Sequence, residues 1–451
     1  MNQLRRVIPL SACALLAALA GPAHAQSDAD RIRNLEKLVE QLTQKISQIE
    51  QASAGAREAQ AKVAQQAAKI EAIEKNVSDI GGSLSNRSAG DGLPVHGFAD
   101  VGLVKNGERN PTFTGRKGAA LGTFSLYLAP QFTDRARGLV ELAFEADRNG
   151  GIATDLERLQ LGYLFNDAAI GWLGRFHTPY GYWNTAFHHG VQIQTSTLRP
   201  RFLDFEDKGG ILPAHTTGVW LNGTFPTATG KLGYDLYAGN APQINGTGTA
   251  TALSTAHPAG FSAAVNAGTY AGTGTLSMRQ SGSTAGRTSS GFNAWIEPGA
   301  VDGLRLGLHG LRGEVIDDFA NSTLLKMLGG YYAYSTDKWE ALGEYYRFRN
   351  QDRSGATGTH ASWAGYMQLG YTVGKWTPFA RVERAKLDQT DNYFGVQESG
   401  RSYDRWAMGL RYELDPRAAL KTEFASTRKR DLGPGVTDKY PELRVQYAIG
   451  F

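Results

Sequence analysis

The chain has 451 residues, 20% of them charged, a formal charge of +4 and a mean hydropathy of −0.34. That balance is too small to argue for nucleic acid or a polybasic membrane anchor, and the hydropathy is too polar for a helical membrane protein. Fifty-five glycines and 10% aromatic residues fit many short strands with tight turns better than a helical core.

Residues 1–25 read as a cleaved secretory signal. Arg5 and Arg6 form the basic region, Val7 to Ala20 the apolar one, and Ala23-His24-Ala25 the cleavage site before Gln26. The lipobox-like Leu10-Ser11-Ala12-Cys13 is set aside, because the apolar run before Cys13 is short and continues past it. Cys13 is the only cysteine, so the exported chain holds its fold without disulfides and uses no thiol chemistry. Losing Arg5 and Arg6 lowers the formal charge from +4 to +2. No later segment reaches the roughly 18 apolar residues of a spanning helix.

Residues 28–84 contain neither proline nor aromatics. Ile32, Leu35, Val39, Leu42, Ile46 and Ile49 follow heptad spacing. The seam weakens through Ser53, Ala56 and Gln60 and resumes at Val63, Ala67 and Ile70. Ile73, Val77, Ile80 and Leu84 continue it after a shortened step. The spacing predicts a periplasmic coiled coil that self-associates; a charged, partly helical spacer is the plainer alternative. Ile or Val at a with Leu at d leans toward two strands. Residues 85–92 are a Gly/Ser/Asn/Asp linker.

From Leu93 to Phe451 the apolar period is 2, and about sixteen strands are expected. Short connections are expected at Thr133–Arg137, Asn166–Ala168, Pro226–Gly230, Pro298–Gly303, Thr336–Lys338, Gly374–Lys375 and Asp415–Ala418. Long ones are expected at Lys105–Ala120, Thr178–His215, Asn240–Gly291, Glu314–Leu324, Asn350–His360, Gln389–Arg401 and Lys429–Lys439, with an intermediate one at Arg148–Asp155. Alternating turns and loops indicate an up-and-down barrel. The expected fold is therefore all-β: a 16-stranded antiparallel transmembrane β-barrel with an N-terminal α-helical coiled coil. An even strand count puts both barrel ends on the turn side, the periplasmic side of an outer membrane. The closing ELRVQYAIGF, Glu442 to Phe451, alternates throughout and ends on an aromatic ring, as a strand that pairs with the first strand would. Tyr163, Phe165, Trp172, Trp339, Tyr371, Trp376 and Tyr412 flank short connections and would form an interfacial girdle.

The inward parity lists a pore lining. Its cations are Arg158, Arg175, Arg305, Lys326, Arg381, Arg411, Lys421 and Arg444. Its anions are Asp100, Glu141, Glu145, Asp235, Glu344, Glu383, Glu413, Glu423 and Glu442. Arg381/Glu383, Arg411/Glu413, Lys421/Glu423 and Arg444/Glu442 are spaced to pair along their strands. The wall is either a hydrated set of compensating charges or a cationic track for anions. The aromatic-rich connection Thr178–His215 is the expected constriction, with Arg199, Arg201 and Lys208 as solute contacts aided by Arg175. The other reading of these residues is an Arg–carboxylate network stapling the loop to the wall. His188, His189 and His215 lack metal-ligand spacing, and no cofactor is expected. Asn240–Met278 is uncharged and reads as a mobile outer loop.

The stretches GWLGRFHTPYGYW (171–183), RFLDFEDKGGILPAHTTGVWLNG (201–223) and YELDPRAALKTEF (412–424), with the terminal Phe451, resemble the phosphate-selective porin O/P family of Gram-negative outer membranes. The resemblance covers roughly Leu93 to Phe451. It implies a homotrimer of sixteen-stranded barrels, each a loop-narrowed channel for passive uptake of small anions such as phosphate. It also implies a basic ladder on the wall and a lysine cluster above the constriction. Here the long loop has one lysine, Lys208, among acids. A barrel enzyme is the contrasting class, but no GxSxG or HExxH is present. A general or cation-tolerant channel, with the coiled coil tethering it to the cell wall or a periplasmic partner, is the other reading.

Overall fold

The structure, a computed structural model, describes residues 36–37, 39–45, 95–108, 116–146, 151–187, 192–206, 210–245, 274–278, 286–318, 320–355, 357–431 and 438–451. The chain divides into two units, Met1–Gly92 and Leu93–Phe451. In the first, residues 36–37 and 39–45 are helical, with Val39 and Leu42 exposed. The expected signal, the rest of the expected coiled coil and the linker lie outside the described residues.

The second unit is built from β1 (Val95–Asn106), β2 (Arg116–Leu128), β3 (Ala136–Ala146), β4 (Ile152–Asn166), β5 (Ala169–His177), β6 (His215–Thr227) and β7 (Gly230–Asn240). Two three-residue strands follow, β8 (Gln243–Asn245) and β9 (Thr275–Ser277). The wall continues with β10 (Thr288–Pro298), β11 (Leu304–Asp317), β12 (Ser322–Ser335), β13 (Trp339–Asp352), β14 (Thr359–Tyr371), β15 (Trp376–Lys386), β16 (Tyr403–Asp415), β17 (Ala418–Lys429) and β18 (Asp438–Gly450). Setting aside β8 and β9, sixteen strands pair antiparallel in chain order, β7 pairs with β10, and β18 pairs with β1. The sheet is a closed cylinder without free edges.

Closure explains the alternating end of the chain. Phe98 to Asn106 pair with Gly450 to Glu442, and Gly97 and Phe451 exchange backbone hydrogen bonds of 2.9 and 3.0 Å. The Phe451 ring lies outside and stacks on Phe124 at 5.9 Å. Much of the outer face is likewise apolar: Leu121, Leu173, Leu308, Leu328, Met367 and Val382 are each at least 58% exposed. An apolar belt that encircles a closed barrel is matched to hydrocarbon rather than to water.

The seven expected turns all fall between paired strands. Several expected loops are shorter than the sequence suggests, two of them markedly. β11 and β12 stay paired to Ile316 and Ser322, and the Asp317 side chain accepts the Asn321 backbone N–H at 2.9 Å, so Glu314–Leu324 shrinks to 318–321. β13 runs to Asp352 and β14 starts at Thr359, which shortens Asn350–His360. Polar residues at the strand ends hid both extensions. The expected mobile loop 240–278 is ordered at its described ends: β8 pairs with β9 and β11, and Ile244 and Leu276 are buried. In the girdle, Tyr163, Phe165, Trp339, Tyr371 and Trp376 are exposed outside, and Tyr412 stacks on Trp376. Trp172 is a correction: it faces inward, donates to Asn222 Oδ1 at 3.2 Å and stacks on Trp220.

Candidate functional site

The connection between β5 and β6, residues 178–214, turns into the barrel. Its neck is tied by Thr178 N–H to Ala214 O (2.8 Å) and by the paired Thr178 and Thr216 hydroxyls (2.8 Å). A one-turn helix, α1 (Trp183–Ala186), meets the buried Glu344 of β13. That carboxylate accepts the N–H groups of Tyr182 (3.0 Å) and Trp183 (2.7 Å) and the hydroxyls of Tyr346 and Tyr366.

Residues 192–201 then run along the wall formed by β15–β18. At the turn end Gln192 donates to Pro416 O. Further on, Thr195 Oγ1 donates to Glu340 at 2.8 Å. At the opposite end Arg201 donates to Glu108 (2.7 Å) and to the Tyr440 hydroxyl (2.8 Å). An extended segment without a strand partner must find other partners for its backbone groups. The wall supplies them as charges. Arg411 donates to the carbonyls of Gln192 and Gln194, Lys421 to those of Gln194 and Ser196, and Arg381 to those of Leu198 and Arg199. Glu423 accepts the N–H groups of Thr197 (2.8 Å) and Leu198 (3.2 Å), and Glu383 that of Arg201 (2.7 Å). Arg381 and Lys421 have essentially no solvent exposure.

Of the expected solute contacts, Arg199 is buried within the loop, donating to Leu203 O and Asn184 Oδ1 and lying 4.1 Å over the Phe205 ring. Burial pulls its basicity below the ordinary arginine value. Burial likewise opposes the charge on Arg201, but Glu108 outweighs it and keeps the guanidinium protonated. Glu108, also ion-paired to Lys429, is held below the usual carboxylate range by the two cations despite its burial. Lys208 lies outside the described residues. Arg175 is buried against Glu157 and donates to its carbonyl at 2.9 Å. Lys326 is a correction: it pairs in register with Arg312 on the outward parity, because Leu328 and Leu308 on the same rows face outside.

The paired charges are partly rearranged. Arg381/Glu383 (2.8 Å) and Arg411/Glu413 (2.6 Å) bond along their strands as spaced. Glu442 instead takes Arg405 of β16, and Lys421 serves the loop. Arg405 shares the parity of Ala407 and Arg411, so the alternation could have found it. Glu108 and Lys429 carried no such signal. His215 sits between Glu157 (2.6 Å) and Glu206 (3.1 Å); burial opposes ionisation of Glu206, but His215 outweighs it and lowers its carboxyl. His188 and His189 lie outside the described residues.

The lumen is two-sided as a result. Tyr180, Trp183, Phe202, Tyr346, Phe348, Tyr366, Tyr393 and Phe394 make a dry cluster under the loops on the β11–β15 side. Against β1–β4 and β18 the inward face is mostly polar, and Asp100, Thr123, Glu145, Arg158 and Arg444 are partly exposed. Gln446 donates to Asp100 at 2.8 Å, Thr123 to Glu145 at 2.8 Å, and Arg158 to Glu141 at 2.6 Å. Arg305, 30% exposed, pairs with Glu297 and stacks on Trp295 at 4.1 Å. Arg444 keeps an Nε without a hydrogen bond among the described residues.

No family model and no curated protein matches the chain. Among solved structures, it is similar to the outer membrane channel DcaP of Acinetobacter baumannii, with 10% identity, 81% of this chain and 99% of that one covered, and a TM-score of 0.49. It is also similar to an anion-selective porin from Comamonas acidovorans (12%, 79% and 98%, 0.48) and to Salmonella typhi OmpF in complex with daunomycin (11%, 79% and 97%, 0.47).

Proposed function

We propose that the chain forms a water-filled channel in a Gram-negative outer membrane, through which small hydrophilic solutes diffuse passively. The observation that carries this is the sidedness of the closed barrel: leucines, valines and aromatics outside, and a strip of partly exposed Asp100, Thr123, Glu145, Arg158 and Arg444 inside. Sixteen strands enclose more than side chains alone fill. The loop bound along β15–β18 narrows that space and leaves the β1–β4 side for water.

The channel is weakly charge-selective in this reading. Arg158, Arg305 and Arg411 each have a carboxylate partner, and Arg381 and Lys421 are consumed by the loop. Arg444, inward-facing and partly exposed, favours small anions such as phosphate over cations. The heptad-spaced residues 28–84 would join copies on the periplasmic side, as a trimer if the family resemblance holds. Deleting them separates assembly from conduction.

The test is purified protein in a planar bilayer under a salt gradient. The expected result is steady ohmic conductance with a small reversal potential of anion sign. Folded, inserted protein that does not conduct overturns the channel; a cation-sign potential overturns the role of Arg444.

A further inference from the structure

Among the described residues, two apolar grooves on the outward wall differ in that one has charge along its edge. One, of about 750 Å³, lies over β4–β7 and is lined outside by Leu161, Tyr163, Phe165, Leu173, Val219 and Leu236. The other, of about 920 Å³, crosses β12–β18. Its floor is two adjacent cross-strand rows. In the lower, Tyr332, Gly343, Met367, Val382, Trp406 and Ser426 stand in register. In the upper, Gly330, Tyr345 and Gly365 lead into Arg384, Asp404, Arg428 and Lys439. The three glycines and Ser426 leave the wall low enough for a chain to lie in it. A third, more polar cavity of about 760 Å³ adjoins toward the long-connection end. It shares Arg384 and Asp404 with the groove and adds Lys386, Arg430, Thr390 and Ser402.

The charge here is unbalanced and badly placed for the fold alone. Asp404 pairs with both Arg384 and Arg430, which leaves Arg428 and Lys439 directly opposite each other on β17 and β18. Like charges opposite one another destabilise a sheet. An anion between them removes that penalty, and a guanidinium fork suits phosphate. The cations fall in two groups, Arg384/Lys386/Arg430, which share the polar cavity with Asp388, Asp404 and Asp431, and Arg428/Lys439, where the excess charge sits; the polar cavity is larger than one phosphate needs.

We propose that this composite groove binds a phosphorylated glycolipid of the outer leaflet. One acyl chain lies on the Tyr332–Trp406 row, the sugar fills the polar cavity, and phosphates meet the two cation groups. The proposal rests on the membrane reading above, since it needs this wall to face lipid.

The test uses delipidated full-length protein in detergent, titrated by native mass spectrometry with a diphosphorylated acyl-disaccharide, its dephosphorylated form, and phosphatidylglycerol. One diphosphorylated lipid should bind per barrel. The triple variant Arg384→Gln, Arg428→Gln, Lys439→Gln should weaken it about tenfold or more, and removal of the phosphates should do the same. The control Lys338→Gln, Lys375→Gln, which removes two cations at the opposite rim, should bind as the parent does. If the triple variant fails to fold, the pair Arg384→Lys, Arg428→Lys, which keeps charge but loses the fork, should still weaken binding severalfold. Equal binding by triple variant and parent, equal loss in the control, equal affinity for phosphatidylglycerol, or cross-linking of two copies through this face would each overturn the proposal. Conductance of the same samples keeps the two readings apart: the triple variant should conduct normally, and a parent that binds the glycolipid without conducting refutes the channel alone.

Discussion

Replacing Glu423 by glutamine tests whether the wall charges hold the loop. Oε2 of Glu423 accepts Thr197 N–H (2.8 Å), the Thr197 hydroxyl (2.9 Å) and Leu198 N–H (3.2 Å), while Oε1 faces Arg381 at 3.5 Å. Glutamine keeps the shape but turns one oxygen into an NH2. That NH2 must point either at the three loop donors or at Arg381, and all of these are donors. In the milder orientation three charge-assisted bonds become neutral ones, a loss of about 1 kcal/mol each. Relief from burying a carboxylate offsets part of it, leaving roughly 2 kcal/mol. That raises the open population of residues 192–201 by about 30-fold. Hydrogen–deuterium exchange by mass spectrometry reads it directly: amides of residues 192–201 should exchange about 30-fold faster, while those of β16–β18 stay as in the parent. Loop exchange within about threefold of the parent would refute the idea that this rack holds the segment.

Three further outcomes follow from the same geometry. Arg158→Glu and Arg444→Glu should each move the reversal potential toward cations, while Lys326→Glu, on the outer face, should leave it unchanged; equal shifts from all three would mean that lumen and exterior are misassigned. Arg201→Ala leaves Glu108 with Lys429 as its one remaining cation among the described residues and removes the anchor to Tyr440, so thermal stability should fall by about 1–3 kcal/mol, checked by the heat-dependent gel shift. Burial pushes Asp391, in the β15–β16 connection, up to about 6 despite hydrogen bonds from Tyr393 N–H and Asn350. A carboxyl whose folded pKa is raised helps below the unfolded value of 3.8 and loses that contribution as pH rises through 6, at most about 3 kcal/mol. Trypsin should therefore cut after Arg401 more readily at pH 8 than at pH 5, relative to Asp391→Asn at each pH; parallel profiles would dismiss this role.

The barrel was legible because a two-residue period is a local signal that burial on one face enforces along a whole strand. Turns such as Asn166–Ala168 and Asp415–Ala418, and the pairing of the final strand with the first, came from that signal alone. What parity does not reveal is which inward residues meet water. Arg381, Arg411 and Arg444 read alike in sequence, yet the first is fully covered by residues 196–199 and the last stays partly exposed. The difference is made by a loop about 180 residues away in the chain, and no periodicity records it. Lys326 differs for another reason: the phase of the alternation in β12 is set by Leu328, whose exposure marks the outer face of the strand.

The resemblance to phosphate-selective porins implies a ladder of wall cations that serves solute. Here the same residue types, on adjacent strands, face an extended loop whose carbonyls would otherwise be orphaned in a partly dry interior. Each bare carbonyl there would cost about 1–3 kcal/mol, and Arg411, Lys421 and Arg381 supply donors to five of them. A lone buried cation is costly too, but next to Glu383, Glu413 and Glu423 it is compensated. The two demands, donors for the loop and counter-charges for the acids that take its N–H groups, are met by one alternating set of side chains. It follows that neutralising any wall cation in this set should alter loop position before it alters charge selectivity. A selectivity change unaccompanied by faster exchange at residues 192–201 would return these residues to the solute path.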